Sequence, residues 1–294
     1  MALTDVEIDV IVNGMLVNIT DALNYGVLEI DGFGMSPTRR LTQQGPMQHG
    51  ETDVGFRLQK RLITMLIRGL GTDEASYWQA RANLLALFAP STSNTPVQLR
   101  LSYPPGQVRQ IDCFFNTHLP LPTKTRWGFQ QEDTIELVAP DPTWYDPNQV
   151  SVPFGQAIGG TGMAVPLVIP FTLAGSTMNQ SILVNNAGSF ITYPIITIVG
   201  PISNCVITNQ TTGEKLDFTP NTIAGGVTYT VDCRYGYKTI TDQAGANKIA
   251  TLTQASDLAT FHLEPGGNSF LVNGSGIASP AQVLLRFYAR YIGV

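Results

Sequence analysis

Charge is what this sequence has least of. Lys, Arg, Asp and Glu make up 13% of its 294 residues, about half the usual share. Cysteine is scarce as well: Cys113, Cys205 and Cys233 are far apart and form no Cys-x-x-Cys pattern. An odd count argues against a disulfide framework, so they read as reduced core thiols suited to assembly in a reducing cytosol. His49, His118 and His262 are scattered, with no His-Glu-x-x-His spacing and no cysteine cluster beside them, so no metal site is expected. No apolar run approaches the ~18 residues of a membrane span. Met1 to Asp5 has neither the basic nor the apolar region of a signal peptide. Without a secretory signal, the sequons at Asn18, Asn179, Asn209 and Asn273 read as chance in an Asn- and Thr-rich chain.

Catalytic signatures are missing too. There is no Gly-x-Ser-x-Gly elbow and no P-loop. Gly159-Gly160-Thr161-Gly162 has no helix after it, so it reads as a flexible linker rather than a phosphate cradle. Two adjacent acid pairs, Asp73-Glu74 and Glu132-Asp133, could in principle serve a glycosidase, but the first opens a helix and the second a strand. The expectation is no enzyme, no cofactor and no metal. Sugar binding without catalysis, as a carbohydrate-binding adhesin or receptor-binding module, is the rival reading. It requires exposed aromatics. Trp78, Trp127 and Trp144 all lie in the first half, which leaves Phe154, Tyr235 and Tyr237 in the second, each better read as core or interface.

What the sequence does have is a period of two. Val6, Ile8, Val10 and Val12 alternate up to Asn13-Gly14, and Met15-Leu16-Val17 follows; Asn-Gly supplies the positive φ angles of a tight hairpin turn. Residues 97–102 and 134–138 alternate in the same way, as do 227–231 and 283–291; Tyr193 to Val199 is apolar on both faces, and 204–209 reads as the next strand, turning at Thr211-Thr212-Gly213 into 215–218. Short strands punctuated by Gly and Pro describe a sandwich. One helix is expected from Thr72, as cap, to Pro90, as stop, followed by a polar turn over 91–96; Trp78, Leu85 and Phe88 would sit in its packing face. Residues 34–56 show no period and read as a long loop or arm, with Arg39, Arg40, Gln43 and Gln44 as candidate assembly contacts. Paired prolines in Asp141-Pro142-Thr143-Trp144-Tyr145-Asp146-Pro147 oppose regular structure and mark a domain junction. The expected fold is all-β with one helix, in two domains covering residues 1–150 and 151–294.

Charge is also uneven. Residues 1–150 hold 16 acids against 11 bases, whereas residues 151–294 hold six of each. Neither half is basic, so specific nucleic-acid binding is not expected.

Three stretches carry a resemblance to a known family. They are Asp141-Pro142-Thr143-Trp144-Tyr145; the run Asn186-Ala187-Gly188-Ser189-Phe190 to Pro194 with Gly200-Pro201 and Ile207 to Gly213; and Leu263-Glu264-Pro265-Gly266-Gly267-Asn268. In that order, and with the single helix where the family has its own, they make the chain similar to the siphophage distal tail proteins over most of its length. None is a catalytic signature; each reads as fold punctuation, with Asp141, Pro142, Trp144 and Tyr145 as structural junction.

The resemblance implies an N-terminal β-sandwich-like domain that forms a hexameric ring and a C-terminal galectin-like β-sandwich. It implies a virion protein of the phage tail tip, assembled in the host cytoplasm between the tail tube protein and the tail tip hub protein, and able to hold receptor-binding or fibre proteins. A gene-transfer particle or tailocin could use the same part. If the first domain lines a DNA channel, its wall must not bind phosphate. Glu7, Asp9, Glu132, Asp133 and Glu136 are the candidate lumen acids, with solvation on the outer surface as the plain alternative.

Overall fold

The computed structural model describes residues 6–21, 24–89, 95–117, 119–155, 176–278 and 280–294. The linker expected at 159–162, the Pro90 helix stop, most of the turn after it and His118 lie outside the described residues. The chain forms two compact units. One runs to Pro147 and regains Tyr291–Val294; the other is Asn148–Arg290. The last four residues thus belong with the first unit, unlike the simple division into 1–150 and 151–294.

In the first unit, β1 (Glu7–Val12) and β2 (Met15–Asn18) form the expected hairpin. Asn13 and Gly14 take φ of +51° and +80°, the left-handed pair of a primed turn. Then come β3 (Tyr25–Asp31), β4 (Thr38–Gln43), β5 (Thr52–Leu58), β6 (Arg61–Leu70), α1 (Glu74–Leu87), β7 (Val97–Tyr103), β8 (Gln107–Phe115), β9 (Arg126–Trp127), β10 (Gln130–Ala139) and β11 (Trp144–Tyr145). The strand order is β2-β1-β7-β8-β10-β6-β3. β8 is the corner, pairing along β7 and then passing Phe114 and Phe115 to β10. The path folds back on itself, so Ile8, Val10, Leu99 and Ile111 meet Ile63, Met65, Ile135 and Leu137 in one core. Each such side chain contributes about 1.5–3 kcal/mol by leaving water.

The helix departs from expectation at its start and on its face. Asp73, not Thr72, is the N-cap, in a reciprocal capping box with Ser76. Tyr77, Ala80, Leu84 and Phe88 are buried, whereas Trp78 and Leu85 are 50% and 43% exposed. Leu84 settles against Gly69 of β6, where a Cβ would stand 3.0 Å from its methyl. The face that packs on the sheet is thus that of Leu84, and Trp78 lies outside it.

Residues 34–56 are not an aperiodic loop. Most of them form the β4–β5 hairpin, which pairs with no other strand. A ribbon with two exposed faces needs no apolar alternation, so its sequence carries no period.

The second unit contains β12 (Val150–Phe154), β13 (Ser176–Asn186), β14 (Ile195–Val199), β15 (Ile202–Asn209), β16 (Lys215–Asp217), β17 (Thr222–Ile223), β18 (Thr228–Asp232), β19 (Thr239–Asp242), β20 (Gly266–Ile277) and β21 (Gln282–Phe287). Its two sheets run β12-β21-β14-β18-β19 and β13-β20-β15-β16, with β17 on β15. Phe154, Ile196, Val231 and Leu285 of the first pack with Val184, Ile207, Phe270 and Val272 of the second, the layering of a sandwich. Cys113, Cys205 and Cys233 are buried in these cores, where burial pushes each thiol up to about 12.

Candidate functional site

The junction motif is a buried fastening built on a residue that no sequence pattern singles out. Asp141 Oδ1 accepts from the Thr143 amide at 3.2 Å and hydroxyl at 2.7 Å, turning the chain so that the Pro142 carbonyl faces Arg61. Arg61 Nε donates to that carbonyl at 2.8 Å, and Nη1 donates to the carbonyls of Gly32 and Gly34, both at 2.6 Å. Nη2 donates to the Ile292 carbonyl. Arg61 is only 1% exposed, and burial pulls its pKa down. Four carbonyls hold the charge, and the fork of the guanidinium is what lets one side chain reach them. Trp144 is fully buried, edge-on to Phe33 at 5.2 Å. Tyr145 donates to Asp112 Oδ1 at 2.7 Å and accepts from Gln110 at 3.1 Å. The prolines therefore do not prevent pairing: Trp144–Tyr145 is a strand against β8.

In the second unit, the distant motifs converge on three buried asparagines. Asn268 donates to the carbonyls of Glu264 and Gly266, and its Oδ1 accepts from the Glu264 amide. Asn209 donates to the His262 carbonyl at 2.9 Å and to Asn268 Oδ1 at 3.3 Å. Asn186 donates to the carbonyls of Phe190 and Glu264 and accepts from the Gly188 amide. An amide side chain offers two donors and an acceptor, so it can replace the backbone pairing that irregular turns lose. Beside this node His262 lies 3.0 Å from Glu214 and 3.1 Å from Glu264. Burial opposes its charge, but the hydrogen bonds to Glu264 and Thr260 and the two carboxylates outweigh it, so its pKa is raised.

The candidate lumen acids fall on different faces. Glu7 is exposed on the outer side of β1. Asp9 shares that parity but is buried opposite Arg100, and burial raises its carboxyl pKa against the pull of Arg100. Glu132 and Glu136 lie on the outer side of β10, across the core from β1. Glu132 is paired with Arg68 and Glu136 accepts from Asn116. Asp133 has the inward parity of Gln131 and Ile135 and accepts from the Leu121 amide. Of the arm residues, Arg40 pairs with Asp53 at 2.7 Å, and Gln44 donates to the Gln48 carbonyl; Arg39 and Gln43 are exposed on β4.

The other candidates also sort themselves. Asp73 caps α1, and Glu74 lies 3.7 Å from Arg126. Among the described residues no group of three His, Cys, Asp or Glu is placed to hold a metal, and no helix is long and apolar enough to cross a membrane. Phe154 is core, whereas Tyr235 is 70% exposed and Tyr237 also faces solvent, so of the two expected roles neither tyrosine takes that of core. Tyr193 donates to the Tyr235 hydroxyl, and Arg234 stacks on Tyr237 at 4.4 Å.

These features define a two-unit all-β chain whose buried polar groups fasten turns. The chain has the fold of a phage distal tail protein. It is similar to the Dit protein of phage SPP1, described as a paradigm of the hub adsorption apparatus of phages infecting Gram-positive hosts. The TM-score is 0.62 at 16% identity, over 96% of this chain and 98% of that one. A chain of the phage P2 baseplate, in its activated conformation with Ca, superposes with a TM-score of 0.50 at 10% identity, over 96% and 97% of the two chains. No family model and no curated protein matches the sequence.

Proposed function

We propose that the protein is a non-enzymatic distal tail ring of a long-tailed phage, joining the tail tube to the tip. The observation that carries this is the end-to-end likeness to the SPP1 Dit fold, with both β units represented. In this reading the first unit forms a closed homo-oligomer, a hexamer, around the channel, and meets the tail tube protein and the hub protein. The galectin-like second unit can hold receptor-binding proteins. The protein assembles in the host cytoplasm and acts in the virion.

The β4–β5 hairpin is the assembly arm, with Arg39, Arg40, Gln43 and Gln44 on one leg and the turn after it. An isolated two-stranded ribbon is marginal in water, so a neighbour that covers it stabilises it. Four of the five candidate lumen acids form two sets, Glu7 and Asp9 on one face and Glu132 and Glu136 on the opposite face, of which a channel wall can use only one; Asp133 has the inward parity of β10 and belongs to neither. A lumen lined mainly by Lys and Arg would refute the repelling wall. Electron microscopy of the purified protein tests the ring: six-fold rings support it, and monodisperse monomers that bind a glycan array favour the adhesin instead.

A further inference from the structure

We infer that the β4–β5 hairpin of one copy docks into an apolar cavity beside β3 of its neighbour, with Phe56 as anchor and Arg40 against Glu29. The inference rests on the ring reading and names the acceptor that such an arm requires.

On the hairpin, Phe56 is 52% exposed. The register pairs Arg40 with Phe56 directly across the ribbon, so both project from one face, side by side. The hairpin and its base carry Arg39, Arg40, Arg57 and Lys60 against Glu51 and Asp53, an excess of positive charge.

A cavity of matching character lies in the first unit, lined by described residues. It has a volume of about 320 Å³ and is lined by Leu28, Ile30, Phe33, Leu101, Tyr103 and Glu29, among others. Ligand sites span roughly 300–1,000 Å³, so this one suits an inserted side chain rather than an extended ligand. It opens where the pairing of β3 with β6 slips between Val27 and Glu29; the extra residue bends the strand and re-aims its neighbours. Glu29 and Asp31 are both exposed on that strand, and among the described residues no Lys, Arg or His forms an ion pair with Glu29. An apolar pocket edged by the Glu29 carboxylate thus matches a ribbon that offers an aromatic beside a guanidinium.

Another exposed apolar patch of this unit, around Trp78 and Trp127, fits less well. Arg81 and Arg126 already lie over the Trp78 ring at 5.9 and 5.5 Å, so a basic ribbon would meet like charge there. Cavity and hairpin are different patches of one chain. Their contact is therefore heterologous, the kind that closes into a ring when the rotation permits.

The test uses the full chain, sized by light scattering across a dilution series and imaged by electron microscopy. Glu29→Arg and Phe56→Ser should each raise the midpoint concentration for dissociation at least tenfold while leaving the thermal transition within a few degrees of the parent. Arg40 also pairs with Asp53 in its own hairpin, so Glu29→Arg is the cleaner charge variant. The double variant Glu29→Arg/Arg40→Glu should recover assembly relative to Glu29→Arg alone. A parent that forms rings, with Glu29→Arg and Phe56→Ser variants that assemble just as well, overturns the acceptor and leaves the ring intact. A parent that stays monomeric at every concentration overturns both.

Discussion

The guanidinium carbon of Arg61 lies 5.9 Å from the centre of the Trp144 ring, and both side chains are sealed from solvent. The pair joins the start of β6 to the end of the first unit. Arg61 supplies the donors that the carbonyls of Gly32, Gly34, Pro142 and Ile292 would otherwise lack, and the indole covers the charge. Arg61→Met would leave those carbonyls buried without donors, at ~1–3 kcal/mol each before relaxation. We expect a loss of at least ~3 kcal/mol in denaturant unfolding. Arg61→Lys should recover little of it, because one ammonium cannot replace the planar fork. Near-parental stability of Arg61→Met would show that water or rearrangement satisfies the carbonyls.

Removing residues 38–58 and closing the gap at the base, where the Gln59 amide donates to the Pro37 carbonyl, should leave the thermal transition of the remaining chain nearly unchanged. The hairpin adds no strand to any other sheet. Assembly should be lost in the same protein, as read by light scattering. Normal rings from the deleted chain would remove the arm from the ring contact.

Asn268 serves three backbone groups at once. Asn268→Ala should cost about 2–4 kcal/mol, from unsatisfied buried carbonyls and an amide. In calorimetry of the full chain the loss should fall on the transition of the second unit alone. Asn268→Asp keeps the acceptor and loses the donors, so it should be destabilised as well. An equal shift of both units would mean that the node is not local to the second.

His262 makes a pH prediction with a defined sign. Its pKa in the folded chain is raised above the ordinary 6.5, so the folded state holds the proton more tightly than the unfolded chain does. The resulting stabilisation is complete below the unfolded value and is lost as pH rises through the higher folded value. The stability difference between the parent and His262→Gln should therefore be larger at about pH 5.5 than at about pH 8.5. A difference that stays constant or grows with pH would contradict the placement of His262 between Glu214 and Glu264.

The sequence by itself determined the all-β class, the Asn13-Gly14 hairpin, the existence of the helix and most strands of the second unit. Each rests on short-range physics: a period of two on a half-buried strand, a turn that demands positive φ, a capped run of helix formers. The buried fastenings were out of reach. Nothing local marks Arg61 as buried, because its partners lie at Gly32, Gly34, Pro142 and Ile292. Asn186, Asn209 and Asn268 were visible only as turn residues, and only the closed sandwich shows that they serve one another's loops. The hairpin at 38–58 escaped because a ribbon exposed on both faces has no reason to alternate. The acids misled for the opposite reason. Alternation assigned Glu7 and Asp9 correctly to one side of β1, but which side is buried, and by what, is set by pairing partners. Tertiary structure alone decided that Asp9 faces Arg100, that Glu132 faces Arg68 and that Trp78 faces water, because each depends on how segments distant in the chain are brought into register.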